Sequence, residues 1–98
     1  MDLQIRRRAE IALRSLQKVE RKQIERSLDE LLASDRVSLS SNPKFRLLAA
    51  GFSGKKLVVY RGSTKLRLVL SFEGDTCILE DVVDHDRLDQ LAKRGEQE

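Results

Sequence analysis

The stretch LVVYRGSTKLRLVLS, Leu57 to Ser71, decides the fold. Leu66, Leu68 and Leu70 alternate with Arg67, Val69 and Ser71, and the run Leu57 to Tyr60 is apolar and β-branched, so both halves read as strands. Gly62-Ser63 supplies turn chemistry between them, which makes a hairpin with a longer than minimal loop. Arg61 and Arg67 then come to neighbouring strands near the turn. Alternation sends the three leucines to the core and Arg67 to the opposite face, which the expected architecture leaves uncovered. Two guanidinium groups on rigid strands suit a phosphate, whose oxygens match their paired planar donors.

Working outward, Glu73-Gly74-Asp75 is a second turn, leading into a third strand from Thr76 to Val83 with Cys77, Ile78 and Leu79. Upstream, Lys44 to Ala50 reads as a short extended segment. Gly51-Phe52-Ser53-Gly54 follows it as a turn and lacks the GK[ST] ending of a phosphate loop. Asp35 to Lys44, rich in Ser, Asp, Asn and Pro, is a long connection and a candidate contact loop.

The first third is helical. Ala9, Ala12, Leu13 and Leu16 recur at helical spacing, and Ile24, Leu28, Leu31 and Leu32 resume it after a phase shift at Gln17 to Glu20. The expectation is two helices, about Arg7 to Lys18 and Glu20 to Ser34, with a tight bend between. Leu3-Gln4-Ile5 reads as a short edge strand, and Leu88 and Leu91 suggest a closing helix from Asp86 to Lys93. The fold class is α+β: a two-helix hairpin packed on a small antiparallel meander sheet.

A chain of 98 residues is read as one domain, 1–98. The single Cys77 excludes an intramolecular disulfide and is read as a buried strand residue. No membrane-length apolar run and no signal-peptide pattern is present, so the expected location is cytoplasmic. Charge is polarised. Residues 1–71 hold sixteen Lys and Arg against seven Asp and Glu, or +9, whereas residues 72–98 hold three against nine, or −6, giving the net +3. A basic body points to nucleic acid or an acidic protein partner. Some helical charges solvate each other, as in the i,i+4 pairs Glu10 with Arg14 and Arg26 with Glu30. Arg6 to Arg8 reads as a solvated helix start.

Five segments carry a resemblance to the RelE/ParE superfamily of toxins from bacterial toxin–antitoxin pairs: LQIRRRAEIALRSLQKVERKQIERSLDELLAS, KFRLL, LVVYRG, KLRLVLS and VVDHDRLDQL. They are similar to that family's edge strand and helix pair, its paired strands with Leu-Arg and Tyr-Arg, and its closing His-Arg element. The resemblance implies a RelE-like, ribosome-dependent endoribonuclease (mRNA interferase) that inhibits translation. Its partners would be messenger RNA, the ribosome and a cognate antitoxin protein, with no membrane, metal or cofactor. Arg67, Arg61, His85 and Arg87 would be the catalytic residues, and Lys55, Lys56, Lys65 and Arg46 would bind RNA. Asp86 stands where arginine would follow the histidine, Arg87 comes one place later, and neither Leu88 nor Leu91 replaces the tyrosine of some members.

Cleaving RNA through its own 2′-OH needs a group to take that proton, cations for the phosphorane and an acid for the leaving oxygen. The arginines supply charge, and His85 is the chain's single histidine, the residue type most used for acid–base work. Equally, a lone histidine reads as a hydrogen-bonded cap on the last strand. Two alternatives to the nuclease stand: a ParE-like gyrase inhibitor, and a catalytically silent basic domain that binds nucleic acid or an acidic partner.

Overall fold

The computed structural model describes residues 2–35, 38, 41–47 and 57–87. Strand β1 (Asp2–Ile5) leads into helices α1 (Arg7–Ser15) and α2 (Lys18–Ala33). Strands β2 (Phe45–Leu47), β3 (Val58–Arg61), β4 (Leu66–Glu73) and β5 (Thr76–Asp84) follow. They form one five-stranded sheet in the order β1-β5-β4-β3-β2. From β2 to β5 it is the antiparallel meander expected; β1 adds a parallel edge strand beside β5.

The bend between the helices lies at Leu16 and Gln17, both in extended conformation. Arg21 stabilises it by donating from its guanidinium to the carbonyls of Leu13 and Arg14, at 3.3 and 3.1 Å. The last turn of α1 leaves those carbonyls without i+4 helical partners, Leu13 accepting only the C-cap Leu16 N–H at 3.2 Å from the backbone, so a side chain from the second helix caps the first. In α2, Ile24, Ser27, Leu28 and Leu31 are buried, a spacing of three, four and seven that makes one stripe. The stripe packs with Ala9 onto Val58, Tyr60, Leu66, Leu68, Leu70, Cys77, Leu79 and Val82. Leu66, Leu68 and Leu70 thus face the helices as the alternation predicts.

Between Val69 and Leu70 the β4–β5 register shifts, leaving Glu80 as the extra residue of a bulge. Ser71 Oγ donates to its carboxylate at 2.6 Å, and Arg6 Nε pairs with it at 3.4 Å, tying the start of α1 to the bulge. Gly74 turns β4 into β5 at φ +57°, a left-handed conformation that glycine adopts without strain.

The opposite face of the sheet is not uncovered. Leu57, Val59, Val69 and Val83 are buried there as a second apolar cluster, and Ile78 beside them is 1 % exposed. Strands with both faces buried read as near-continuous apolar runs, which explains Val58-Val59-Tyr60 and Val82-Val83. Among the described residues no helix is long and apolar enough to cross a membrane. The expected Gly51 to Gly54 turn and Leu88 and Leu91 lie outside the described residues; His85 to Arg87 have helical backbone.

Candidate anion site at the hairpin end of the sheet

Register builds the site. Arg61 pairs directly with Arg67 across β3 and β4, and Arg46 pairs with Val59 across β2 and β3. Residues opposite each other in an antiparallel pair project to the same face. Arg46, Val59, Arg61 and Arg67 therefore share the face away from the helices. Lys44 joins them because its carbonyl accepts the Arg61 N–H at 2.9 Å, continuing the β2 pairing by one residue. These side chains and Pro43 line a concavity of about 120 Å³ floored by Val59. A pit with four cations in its wall is an anion site by composition.

The four cations differ in freedom. Arg46 and Arg61 are exposed, and their side chains make no hydrogen bond or ion pair among the described residues. Lys44 Nζ pairs with Glu30 of α2 at 3.2 Å, with both side chains near half exposure, so it is a screened and weak contact. Arg67 is half-buried and committed to backbone. Its Nη1 donates to the carbonyls of Ser63, Thr64 and Leu66, at 2.8, 3.2 and 3.1 Å. The expectation of a side chain free of structural duty is corrected: Arg67 clamps the loop that joins β3 to β4.

The same loop is held from the helix side. Ser27, buried in α2, donates from Oγ to the Gly62 carbonyl at 2.6 Å. A Cβ on Gly62 would stand 2.5 Å from Ile24 Cδ1, so only glycine lets α2 approach this closely. Within the loop, Ser63 Oγ accepts the Leu66 N–H at 3.1 Å. Arg61 and Arg67 therefore project from a hairpin end fixed on both sides.

Of the other sequence candidates, His85 comes to this end of the sheet through its N–H, which donates to the Lys65 carbonyl at 2.9 Å. It does not line the concavity. Its Nδ1 lies 3.3 Å from Asp86 Oδ1, and Asp84 caps the turn by accepting the Arg87 N–H at 2.7 Å. Arg87 itself is exposed. Lys65 stands on the other side of the loop, and Lys55 and Lys56 lie outside the described residues. Lys44 was missed by sequence reasoning although its signal was present: in Lys44-Phe45-Arg46 the apolar residue alternates with two cations, which puts both on one face. Among the described residues no three His, Cys, Asp or Glu side chains converge as a metal site.

A small α+β domain with a cationic pit behind its sheet is therefore the class that fold and site define. A chain of the archaeal RelE–RelB complex from Pyrococcus horikoshii has this fold: TM-score 0.64, 17 % identity, covering 88 % of this chain and 96 % of that one. A copper-bound mutant toxin from Helicobacter pylori is also similar, with TM-score 0.52 and 16 % identity over 90 % of this chain and 98 % of that one. At such identities the likeness establishes the fold, which is RelE-like. No protein-family model matches the chain, and no curated protein matches it in sequence.

Proposed function

We propose that this chain is the toxin of a toxin–antitoxin pair and acts on messenger RNA at the ribosome, with the pit between β2, β3 and β4 receiving an RNA phosphate. The observation that carries the reading is the convergence of Lys44, Arg46, Arg61 and Arg67 on one concavity. A protein gains nothing in stability by gathering four like charges, whereas a phosphorane with charge on its equatorial oxygens gains from each donor. The RelE-like fold supports the same reading, since one fold neighbour is a chain of a RelE–RelB complex and another is a toxin.

In this reading Arg61 and Arg46 are the free donors to phosphate. Arg67, anchored by the loop, contributes its charge to the wall of the pit, and Lys44 adds a charge on leaving Glu30. His85, at the same end of the sheet, is the group suited to proton transfer, with Arg87, Lys65, Lys55 and Lys56 extending the RNA contact. A cognate antitoxin would neutralise the chain by covering this basic end.

Inducing the chain alone is expected to arrest growth, with relief on co-expressing a neighbouring small gene. Messages cut within translated codons support the nuclease reading. Intact messages with relaxed or linearised DNA would transfer it to gyrase inhibition. Normal growth at verified soluble expression would overturn the toxin reading altogether.

A further inference from the structure

The loop that Arg67 clamps is a wall with two sides. On the side away from the phosphate pit lies a second concavity of about 570 Å³, between the first turns of α2 (Gln17, Val19, Glu20, Gln23) and loop residues 63–65. Its size falls in the range of small-ligand clefts, about 300 to 1,000 Å³. The wall joins the two hollows mechanically: Arg67, which lines the first, bonds the carbonyls of Ser63 and Thr64, residues that line the second.

Among the described residues, the three polar side chains that α2 contributes have no partner, whereas Ser63 on the loop side is engaged with the Leu66 N–H. Gln17 occupies the N-cap of α2 but makes no capping hydrogen bond. The side chains of Glu20 and Gln23 likewise make no hydrogen bond or ion pair among the described residues. Val19, 68 % exposed, is the most exposed large apolar residue among those described and opens into the same space. The loop side offers Ser63, Thr64 and the cation Lys65, but the α2 side, with neutral amides, one carboxylate and an apolar patch, is poor chemistry for a phosphate. It is suitable chemistry for the edge and face of a base: a carboxylate accepts from exocyclic amino groups, amides donate and accept, and Val19 packs against the ring.

We propose that this concavity is a nucleobase-reading subsite, in which Glu20, with Gln17 and Gln23, selects RNA bases carrying an exocyclic amino group over uracil. The inference rests on the RNA reading of the neighbouring pit. A strand whose phosphate sits among Arg46, Arg61 and Arg67 would cross the loop and lay an adjacent base against the start of α2. Lys65 at the rim supplies a charge for the next phosphate. Specificity thus belongs to α2 and affinity to the sheet.

Fluorescein-labelled hexamers of A, C and U, titrated at low salt against the full chain and two variants, test this by anisotropy. The wild type should prefer the A and C oligomers over U by about tenfold, as one good base contact gives. Glu20→Ala, at a half-buried helix position where alanine keeps the helix, should narrow that ratio to under about threefold. Arg61→Ala should weaken all three oligomers alike and keep the ratio. Equal wild-type affinities, or a preference that survives Glu20→Ala, would overturn the subsite. If Glu20→Ala narrows the ratio while Arg61→Ala changes nothing, the base subsite stands and the phosphate reading of the pit falls. Melting temperatures of both variants show that each remains folded during the titration.

Discussion

Arg61 and Arg67 face each other across one hairpin yet carry different duties. The Arg61 side chain is exposed and without described partners, so Arg61→Ala should leave stability within about 0.5 kcal/mol. If the pit is catalytic, the same change should lower cleavage by about 10² to 10³. Arg67→Ala removes a charged donor from three loop carbonyls, and charged hydrogen bonds contribute about 1.5 to 3 kcal/mol, so it should cost stability as well as activity. Urea denaturation of both variants checks the contrast; equal stabilities would mean that the carbonyl clamp has no energetic weight. Cys77 provides a pH signature. Burial pushes its thiol from 9.0 up to about 11, because the interior disfavours the thiolate. The folded chain then holds a proton that the unfolded chain releases above pH 9. This contribution is complete below pH 9 and should be lost as pH rises toward 11. Denaturation series at pH 8 and pH 10.5 should show a decline that Cys77→Ala reduces, and an identical decline in that variant would contradict the assignment.

At the scale of elements, the hairpin end owes its position to α2. Ser27→Ala would leave the buried Gly62 carbonyl without its donor, a loss of about 1 to 3 kcal/mol. Gly62→Ala would drive a Cβ into Ile24 and cost about 1 to 3 kcal/mol by overpacking. Thermal melts of the two variants test this, and an unchanged melting temperature for Gly62→Ala would show that α2 can yield there. The hairpin, the helix pair and the placing of Arg61 and Arg67 on neighbouring strands near the turn were legible in the sequence because alternation and helical spacing are local signals; their direct opposition came only with the register. The parallel docking of β1 was not, since four residues carry too little periodicity to choose a neighbour. Neither was the second apolar face: Val59, Val69 and Val83 were visible, but a run such as Leu57 to Tyr60 is compatible with one buried face or two. Arg67's clamp was illegible too, because alternation tells which face a side chain takes and says nothing of carbonyls within its reach.

Across the whole molecule, charge follows the architecture: the basic body supplies the cations of β2, β3 and β4, and the acidic remainder begins at the end of β4. One phosphate held in the pit and a second at Lys65 predict a log–log salt slope for single-stranded RNA near about −0.7 to −1.4, measurable by the same oligomer titrations. A flat salt response would exclude a phosphate-dominated interface. The most direct measurement of the central claim maps message ends in ribosomes exposed to the wild-type chain and to the Arg46→Ala, Arg61→Ala double variant, both verified as folded. Cuts within translated codons with the wild type, lost with the double variant, are the predicted result. Cuts of equal number and position with both chains would place the chemistry outside the pit and contradict the account.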